Sequence, residues 1–251
     1  LARTVTRPGL ALAGCQLAAA TGMVWTGFMI GEWLPNWPVQ ASLAASPWFL
    51  FQVDLARSAC AVLPAAMAWG ATFPLALATV AGRGLDSGRL VGCLYAANTL
   101  GAIAGATVIG LVLIPTLGTQ QTQRILVVAA VGAAFILIAV QGDRAWRIPV
   151  LAGLALFGAG LAGLMPPLAE SLVTYGRYSA AMDFKPTMLY VGEGMNSSVA
   201  VTERPALDGG TYRNFHVSGK VEASTDPYDM RLQRMLGHMP ALLHPAPRTV
   251  L

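Results

Sequence analysis

The sequence is short of charge, and the shortage is concentrated in its first two-thirds. Only 11% of the 251 residues are charged, whereas soluble globular proteins carry roughly a quarter. Residues 1–170 contain eight Arg and five acidic residues, but no Lys and no His. Such a segment lacks the surface of a water-soluble domain, and a hydrophobic content of 55% indicates lipid as its solvent.

The low net charge and the few cysteines argue against a nucleic-acid site, disulfides and a metal site. The net charge of +4 comes mostly from Arg near the ends of apolar segments, which is typical of membrane topology and not of nucleic-acid binding. The three cysteines, Cys15, Cys60 and Cys93, lie in apolar stretches without Cys-x-x-Cys or Cys/His spacing. We therefore expect no nucleic-acid partner, no disulfide and no metal site, and we interpret the cysteines as small buried side chains.

Apolar runs of about 20 residues, the length that crosses a bilayer, predict a multi-pass transmembrane region over residues 1–168. The lipid bilayer is therefore the first predicted partner. About five spans are expected, at residues 10–30, 58–80, 90–114, 125–140 and 149–164. The second is the apolar part of a longer helical stretch, 48–81, in which Pro64 and Pro74 predict a kink.

Three polar residues in this region are candidates for function, because burying them in lipid is costly. Asp54 and Arg57 lie on one helical face, either at the interface as a pair, which we favour, or along a pathway. Asn98 is deeper and is interpreted as a helix–helix hydrogen-bonding residue. Its span also has small residues at four-residue spacing, which predict close helix packing in preference to a substrate path: Ala97, Gly101 and Gly105.

The last part of the chain has the composition of a soluble module: residues 171–251 contain eight basic residues, seven acidic residues and all three histidines. After an irregular connector over 169–185, alternation predicts a small antiparallel sheet with strands at 189–191, 198–202, 212–217 and 220–223. Ser218-Gly219 is a two-residue hairpin turn. On the third strand, Phe215 and Val217 share one face, and Asn214 and His216 share the other.

A helix with a clear start follows the sheet. Asp226 is its predicted N-cap, Pro227 its first residue and Asp229 an acid in its first turn. Four apolar residues at helical spacing predict its buried face: Leu232, Met235, Leu236 and Met239. His244–Pro247 ends it, and Arg248–Leu251 begins another strand, so we expect a piece of a longer protein.

Three stretches of the apolar region carry a resemblance. Gly70–Pro74, Gly92–Gly105 and Leu113–Gly118 resemble the membrane part of bacterial proteins that join a transporter-like helical bundle to a spermidine synthase-like domain. The resemblance implies a multi-pass protein of the bacterial plasma membrane.

The soluble module carries a second resemblance. Gly219–Ser224, Gln233–Pro240 and His244–Leu251 are similar to the N-terminal sheet and linking helix of polyamine aminopropyltransferases. The implied fold class is mainly α: a transmembrane bundle, then a small α+β module of antiparallel sheet and helix leading into a missing Rossmann-like domain. The implied activity is aminopropyl transfer from decarboxylated S-adenosylmethionine, as co-substrate, to a polyamine.

The resemblance implies one site residue within this chain. Gln233 stands where the family has a Gln that contacts the nucleoside ligand, and an exposed helix residue is the alternative. The family's preceding Tyr and following Glu are replaced by Leu232 and Arg234, and a cationic amine would be repelled by Arg234. His238 also matches, but it is interpreted as a packing residue. Without a glycine-rich nucleotide loop, no catalytic residue or resident cofactor is expected in this chain.

Three functions remain open at this point. The parent is a membrane-anchored aminopropyltransferase-like enzyme, or a transporter-like protein whose module binds a polyamine or nucleoside without turnover, or a structural membrane segment without a site. With five spans, the positive-inside rule places residues 171–251 outside the cytoplasm, which conflicts with a substrate derived from S-adenosylmethionine.

Overall fold

The computed structural model describes residues 5–34, 46–81, 87–141, 144–176, 186–206, 209–246 and 248. The chain divides into two compact units, Leu1–Leu168 and Ala169–Leu251. It is mostly helical, with long apolar helices in the first unit and a four-stranded antiparallel sheet in the second. These features confirm the predicted mainly α class with a small antiparallel sheet.

The described residues of the first unit form five helices and two π-helical turns: α1 (Pro8–Phe28), a π turn (Met29–Trp33), α2 (Pro47–Ala81), α3 (Ser87–Val108), a π turn (Ile109–Leu113), α4 (Ile114–Gln141) and α5 (Arg144–Leu164). Four helical runs in the described residues are long and apolar enough to cross a membrane: Pro8–Trp33, Pro47–Ala81, Gly88–Val140 and Arg147–Leu164. Large apolar side chains on these helices are widely exposed, including Leu100, Ile148 and Leu156 at 67%, 79% and 76%. A surface of this kind indicates a membrane protein.

The third of these runs contains a helix break inside the gap that the sequence predicted at 115–124 between two spans. The run extends over 53 residues, from Gly88 to Val140, and a straight helix of that length would measure about 80 Å, far more than a hydrocarbon core of about 30 Å. It is kinked at Gly118, whose φ of 79° and ψ of 168° are not helical. Because L-residues rarely adopt this conformation, glycine is required where the helix breaks.

Helix α1 is the centre of the bundle, with α2 and α4 packed against it and α5 packed against α4. Small residues permit the close approaches. A Cβ added at Gly22 would lie 2.8 Å from the Cα of Ala65 on α2. The buried core lies between α1, α4 and the end of α5, and comprises Ala20, Met23, Val127, Val131, Leu161 and Met165.

The contact between α1 and α2 also supplies a hydrogen-bond donor that a proline in α2 lacks. Pro64 lies inside α2 and has no N–H to donate to the carbonyl of Cys60, four residues earlier. The indole Nε1 of Trp25 donates to that carbonyl at 2.8 Å, and the Thr26 hydroxyl donates to the next carbonyl, of Ala61, at 2.7 Å. Helix α2 therefore runs from Pro47 to Ala81 with α1 supplying the missing donor.

Among the described residues, helix α3 is largely exposed, and the close packing predicted from its small residues is not seen there. Its main side contact with α2 is an edge-to-face pair between Phe73 and Tyr95, with ring centroids 4.8 Å apart. No atom of a neighbouring helix lies within 4 Å of a Cβ added at Gly101 or Gly105. The side chain of Asn98 is exposed, so the predicted interhelical hydrogen bond is wrong among the described residues.

The cysteines were expected to be buried, and two of them are not. Cys60 and Cys93 are exposed, and Cys15 is half-buried. The expectation failed because an apolar sequence context does not distinguish a side chain that faces protein from one that faces lipid, and a thiol is apolar enough for either.

The second unit consists of a short helix, four strands and a longer helix: α6 (Glu170–Tyr175), β1 (Thr187–Glu193), β2 (Ser198–Pro205), β3 (Thr211–Val217), β4 (Lys220–Ser224) and α7 (Pro227–Leu243). The strands form an antiparallel meander in the order β1-β2-β3-β4. The predicted turn joins β3 to β4, where Ser218 and Gly219 have φ of 49° and 84°. The predicted cap of α7 is present, since Asp226 accepts from the Tyr228 N–H at 3.0 Å.

The structure agrees with the predicted end of α7 but not with its predicted buried face. The helix ends at Leu243, as predicted from the proline-rich segment after it. Its predicted buried face is exposed among the described residues, where the main contact of the helix is with β4: Leu232, Met235, Leu236 and Met239 are 61%, 47%, 68% and 46% exposed. The strand expected at 248–251 lies outside the described residues except for Arg248.

Candidate functional site

The sheet of the second unit buries its polar face. Antiparallel register places Thr202, Asn214 and Ser224 side by side on β2, β3 and β4, so their side chains point to the same side of the sheet. All three are at least nine-tenths buried. The opposite face carries Phe215, which is 42% exposed. A buried polar surface needs hydrogen-bonding partners, and these are the first sign of a site.

His216 is almost fully buried, with 1% of its surface exposed. Its Nε2 lies 2.9 Å from the hydroxyl oxygen of Thr202, and its ring meets the Tyr175 ring edge-to-face at 4.9 Å. Burial lowers the pKa of His216 below its usual 6.5, and the backbone of Thr174 opposes that shift. The imidazole is therefore favoured in its neutral form.

Helix α6 covers this polar cluster. The Tyr175 hydroxyl lies 3.4 Å from the Thr202 hydroxyl, and Thr174, fully buried, donates to the Glu170 carbonyl at 2.7 Å. The connector was predicted to be irregular, so α6 and its contribution to the cluster were missed. Six residues give too little periodicity to reveal a helix.

An open cleft of about 400 Å³ lies beside this cluster, on the polar side of the sheet. Its walls come from α6, from β2, β3 and β4, and from the first turn of α7. The polar lining residues are Tyr175, Arg204, Asn214, Ser224, Asp226 and Asp229, and Val221 is the apolar one. The cleft therefore collects side chains that are more than 50 positions apart in the sequence.

The charged groups of the cleft are partly paired with each other. Arg204 and Asp226 approach to 3.6 Å, and the Ser224 hydroxyl donates to Oδ2 of Asp229 in a short hydrogen bond. The guanidinium of Arg204 also lies 5.5 Å from the Tyr212 ring centre. One Arg faces two Asp, so the cleft has a small excess of negative charge.

One charged group at the cleft has a buried donor without an internal partner. The Nε of Arg204 is buried and bonds to none of the described residues. Asn214, which also lines the cleft, is only 7% exposed. Sequence reasoning placed Asn214 on a polar face but did not identify it as a site residue, because alternation does not show which face is covered.

Gln233, the one predicted substrate-contacting residue, lies on the exposed surface of α7, close to the cleft but not in its lining. Its Nε2 donates to the backbone carbonyl of Ser224 at 3.3 Å. Leu232 and Arg234 beside it are exposed as well. The role of Gln233 as a nucleoside contact stays a prediction.

In the described part of the first unit, the polar residues are not assembled into a comparable site. Asp54 and Arg57 approach to 4.0 Å near the start of α2, and their position at the membrane interface stays a prediction. Across the described ranges, no group of three or more His, Cys, Asp or Glu residues is arranged to hold a metal ion.

Comparison of the chain with protein-family models, with curated proteins and with solved structures gave no match. The site must therefore be interpreted from its own residues.

Proposed function

We propose that the chain is the membrane-anchoring and N-terminal part of a spermidine synthase-like protein of a bacterial plasma membrane. The parent would transfer an aminopropyl group from decarboxylated S-adenosylmethionine to a polyamine. The observation that supports this most is the order of a four-stranded antiparallel sheet followed by a capped helix whose apolar side is uncovered. A following nucleotide-binding domain would bury that side.

The chemistry is a direct displacement. A deprotonated amine nitrogen attacks the carbon next to the sulfonium, the new C–N bond forms as the C–S bond breaks, and the sulfur leaves as a neutral thioether. Catalysis then requires alignment and a base for the amine proton. In this chain Gln233 would contact the nucleoside, and the base would belong to the nucleotide-binding domain.

The decisive assay uses the full-length parent in membranes, with decarboxylated S-adenosylmethionine and putrescine, and measures spermidine by mass spectrometry. We expect product from the parent and none from residues 1–251 alone. Gln233→Ala in the parent should raise the KM for the nucleoside substrate about tenfold, the effect of one lost hydrogen bond. Arg231→Gln on the same helix is the matched control. Turnover by residues 1–251 would contradict the assignment of catalysis to another domain.

A second candidate is a transporter-like protein whose soluble module binds a polyamine or nucleoside without turnover. The replacement of the family's Tyr and Glu by Leu232 and Arg234, together with a cleft built entirely within the module, favours it. Binding without product formation by the full-length parent would distinguish it from the enzyme.

Orientation separates the same two candidates. A reporter that is active only in the cytoplasm, fused after Leu251, should be active if the parent uses a cytoplasmic substrate. Activity of a periplasmic reporter instead would fit the positive-inside count of the Arg residues and would argue against the enzyme.

A further inference from the structure

The cleft of the second unit is lined by groups of opposite charge. Arg204, from β2, supplies N–H donors, and Asp229, from the first turn of α7, supplies a carboxylate. The Ser224 hydroxyl donates to Oδ2 of Asp229, and among the described residues its other oxygen is left as an acceptor. The contact between Arg204 and Asp226, at 3.6 Å, is looser than a close ionic hydrogen bond of about 2.8 Å.

Asn214 distinguishes the cleft from a loose cluster of surface charges. Its amide offers both a donor and an acceptor and lines the cleft, although Asn214 is only 7% exposed. The Nε of Arg204, which lines the same cleft, is buried and has no hydrogen-bond partner among the described residues. A buried donor without a partner is costly, and a ligand in the cleft can supply one. Val221 supplies an apolar wall beside it.

We propose that this cleft binds a small zwitterion, a free amino acid or an amino-acid derivative. Its carboxylate meets Arg204, its ammonium meets Asp229, and its polar atoms satisfy the Asn214 amide. Val221 and the Tyr175 ring contact its side chain. A volume of about 400 Å³ accommodates a molecule of this size and lies within the usual range for small-molecule sites.

The zwitterion is preferred over a simple ion of either sign for an electrostatic reason. A ligand with only an anionic group would meet Asp226 and Asp229, whereas a ligand with only an ammonium would meet Arg204. A molecule that carries both charges at a fixed separation can pair with both kinds of charged group in the cleft. Any ion pair that it breaks is replaced by one that it forms. This inference does not depend on aminopropyl transfer by the parent.

The test uses the whole chain in lipid nanodiscs and isothermal titration with the free L-amino acids, one at a time. For the tightest binder, the N-acetyl form removes the ammonium and the carboxamide form removes the carboxylate. We expect both modified forms to bind at least about tenfold more weakly, because each loses one charge-assisted hydrogen bond. Equal binding of the modified forms, or no saturable binding by any amino acid, would overturn the proposal.

Substitutions of the charged cleft residues test whether the ligand binds in this cleft. Asp229→Asn keeps an oxygen acceptor for Ser224 but removes the charge, and Arg204→Met removes the guanidinium. Each should weaken binding about tenfold or more. The matched controls, Glu222→Gln and Arg213→Met, change exposed residues that do not line the cleft and should leave the Kd unchanged.

Titration of spermidine separates this inference from the proposed function. If spermidine binds in the cleft and amino acids do not, the zwitterion assignment is wrong while a polyamine function survives. If amino acids bind as predicted and the parent forms no spermidine, the proposed transferase fails and the cleft assignment stands. The native chain with the blocked ligands gives a result even where a variant does not fold.

Discussion

Replacement of Trp25 by Phe should destabilise the helical unit by removing the donor that reaches the carbonyl freed by Pro64. The indole N–H bonds the Cys60 oxygen at 2.8 Å, and Phe keeps a ring of similar shape without that donor. Trp25 is 41% exposed, so little packing is lost. The expected cost is about 1–2 kcal/mol, the range for an interhelical hydrogen bond whose loss leaves a carbonyl unpaired in a poorly hydrated place.

A second substitution makes this prediction specific. In a Pro64→Ala background the backbone N–H at position 64 returns and bonds the Cys60 carbonyl within α2. Trp25→Phe should then cost less than about 0.5 kcal/mol, so that a double-mutant cycle gives a coupling energy of about 1 kcal/mol. The measurement is equilibrium unfolding of the whole chain in mixed detergent and SDS micelles, followed by circular dichroism.

The control is Trp69→Phe, which changes another exposed tryptophan of the same helical unit, 51% exposed. We expect no coupling between positions 69 and 64. If Trp25→Phe is equally costly with proline or alanine at position 64, the indole does not substitute for the missing backbone donor, and the explanation of the α1–α2 contact is wrong.

Three further predictions concern close contacts, pH and a turn. Gly22→Ala should cost about 1–3 kcal/mol in the same unfolding assay because its Cβ would clash with the neighbouring helix, whereas Gly14→Ala, with nothing within 4 Å, should cost nothing. The protection factors of the β2 and β3 amides, which compare observed with intrinsic exchange rates at each pH, should fall as the pH falls below about 6.5. Burial lowers the pKa of His216 in the folded chain, so the unfolded chain binds the proton more readily and stability present above that pH is lost as it falls. His216→Gln should weaken this dependence and His238→Gln should not. Gly219→Ala should destabilise the sheet by about 1–2 kcal/mol in thermal unfolding, because φ of 84° is strained for an L-residue; an unchanged midpoint would contradict the assigned turn.

Local signals in the sequence predicted the elements that depend on a few adjacent residues. Asp226-Pro227 marked the start of α7, and Ser218-Gly219 marked the hairpin between β3 and β4. The physical cause is short-range in each case: a side chain that caps N–H groups, and backbone angles that few residues adopt. The long apolar helices followed in the same way from composition and length.

The sequence did not predict which surfaces are covered. Alternation correctly divided β3 into two faces, but the polar face with Asn214 and His216 is the buried one and Phe215 is exposed. The covering element is α6, which lay inside a segment expected to be irregular. Periodicity describes the chemistry of a face, whereas burial depends on what the rest of the chain places against it.

The same reason limited the prediction of the site. Tyr175, Arg204, Asn214 and Asp229 come from four different elements, and no spacing in the sequence relates them. Gln233 was identified only by resemblance, and the structure places it beside the cleft on the surface of α7. A site assembled from distant strands becomes visible only when the register of the sheet is known.

The break at Gly118 gives one achiral residue control over the path of the later part of the bundle. Its backbone angles are open to glycine and unfavourable for L-residues. A side chain at this position would strain the break. The kink that separates α3 from α4 therefore depends on the absence of a single methyl group.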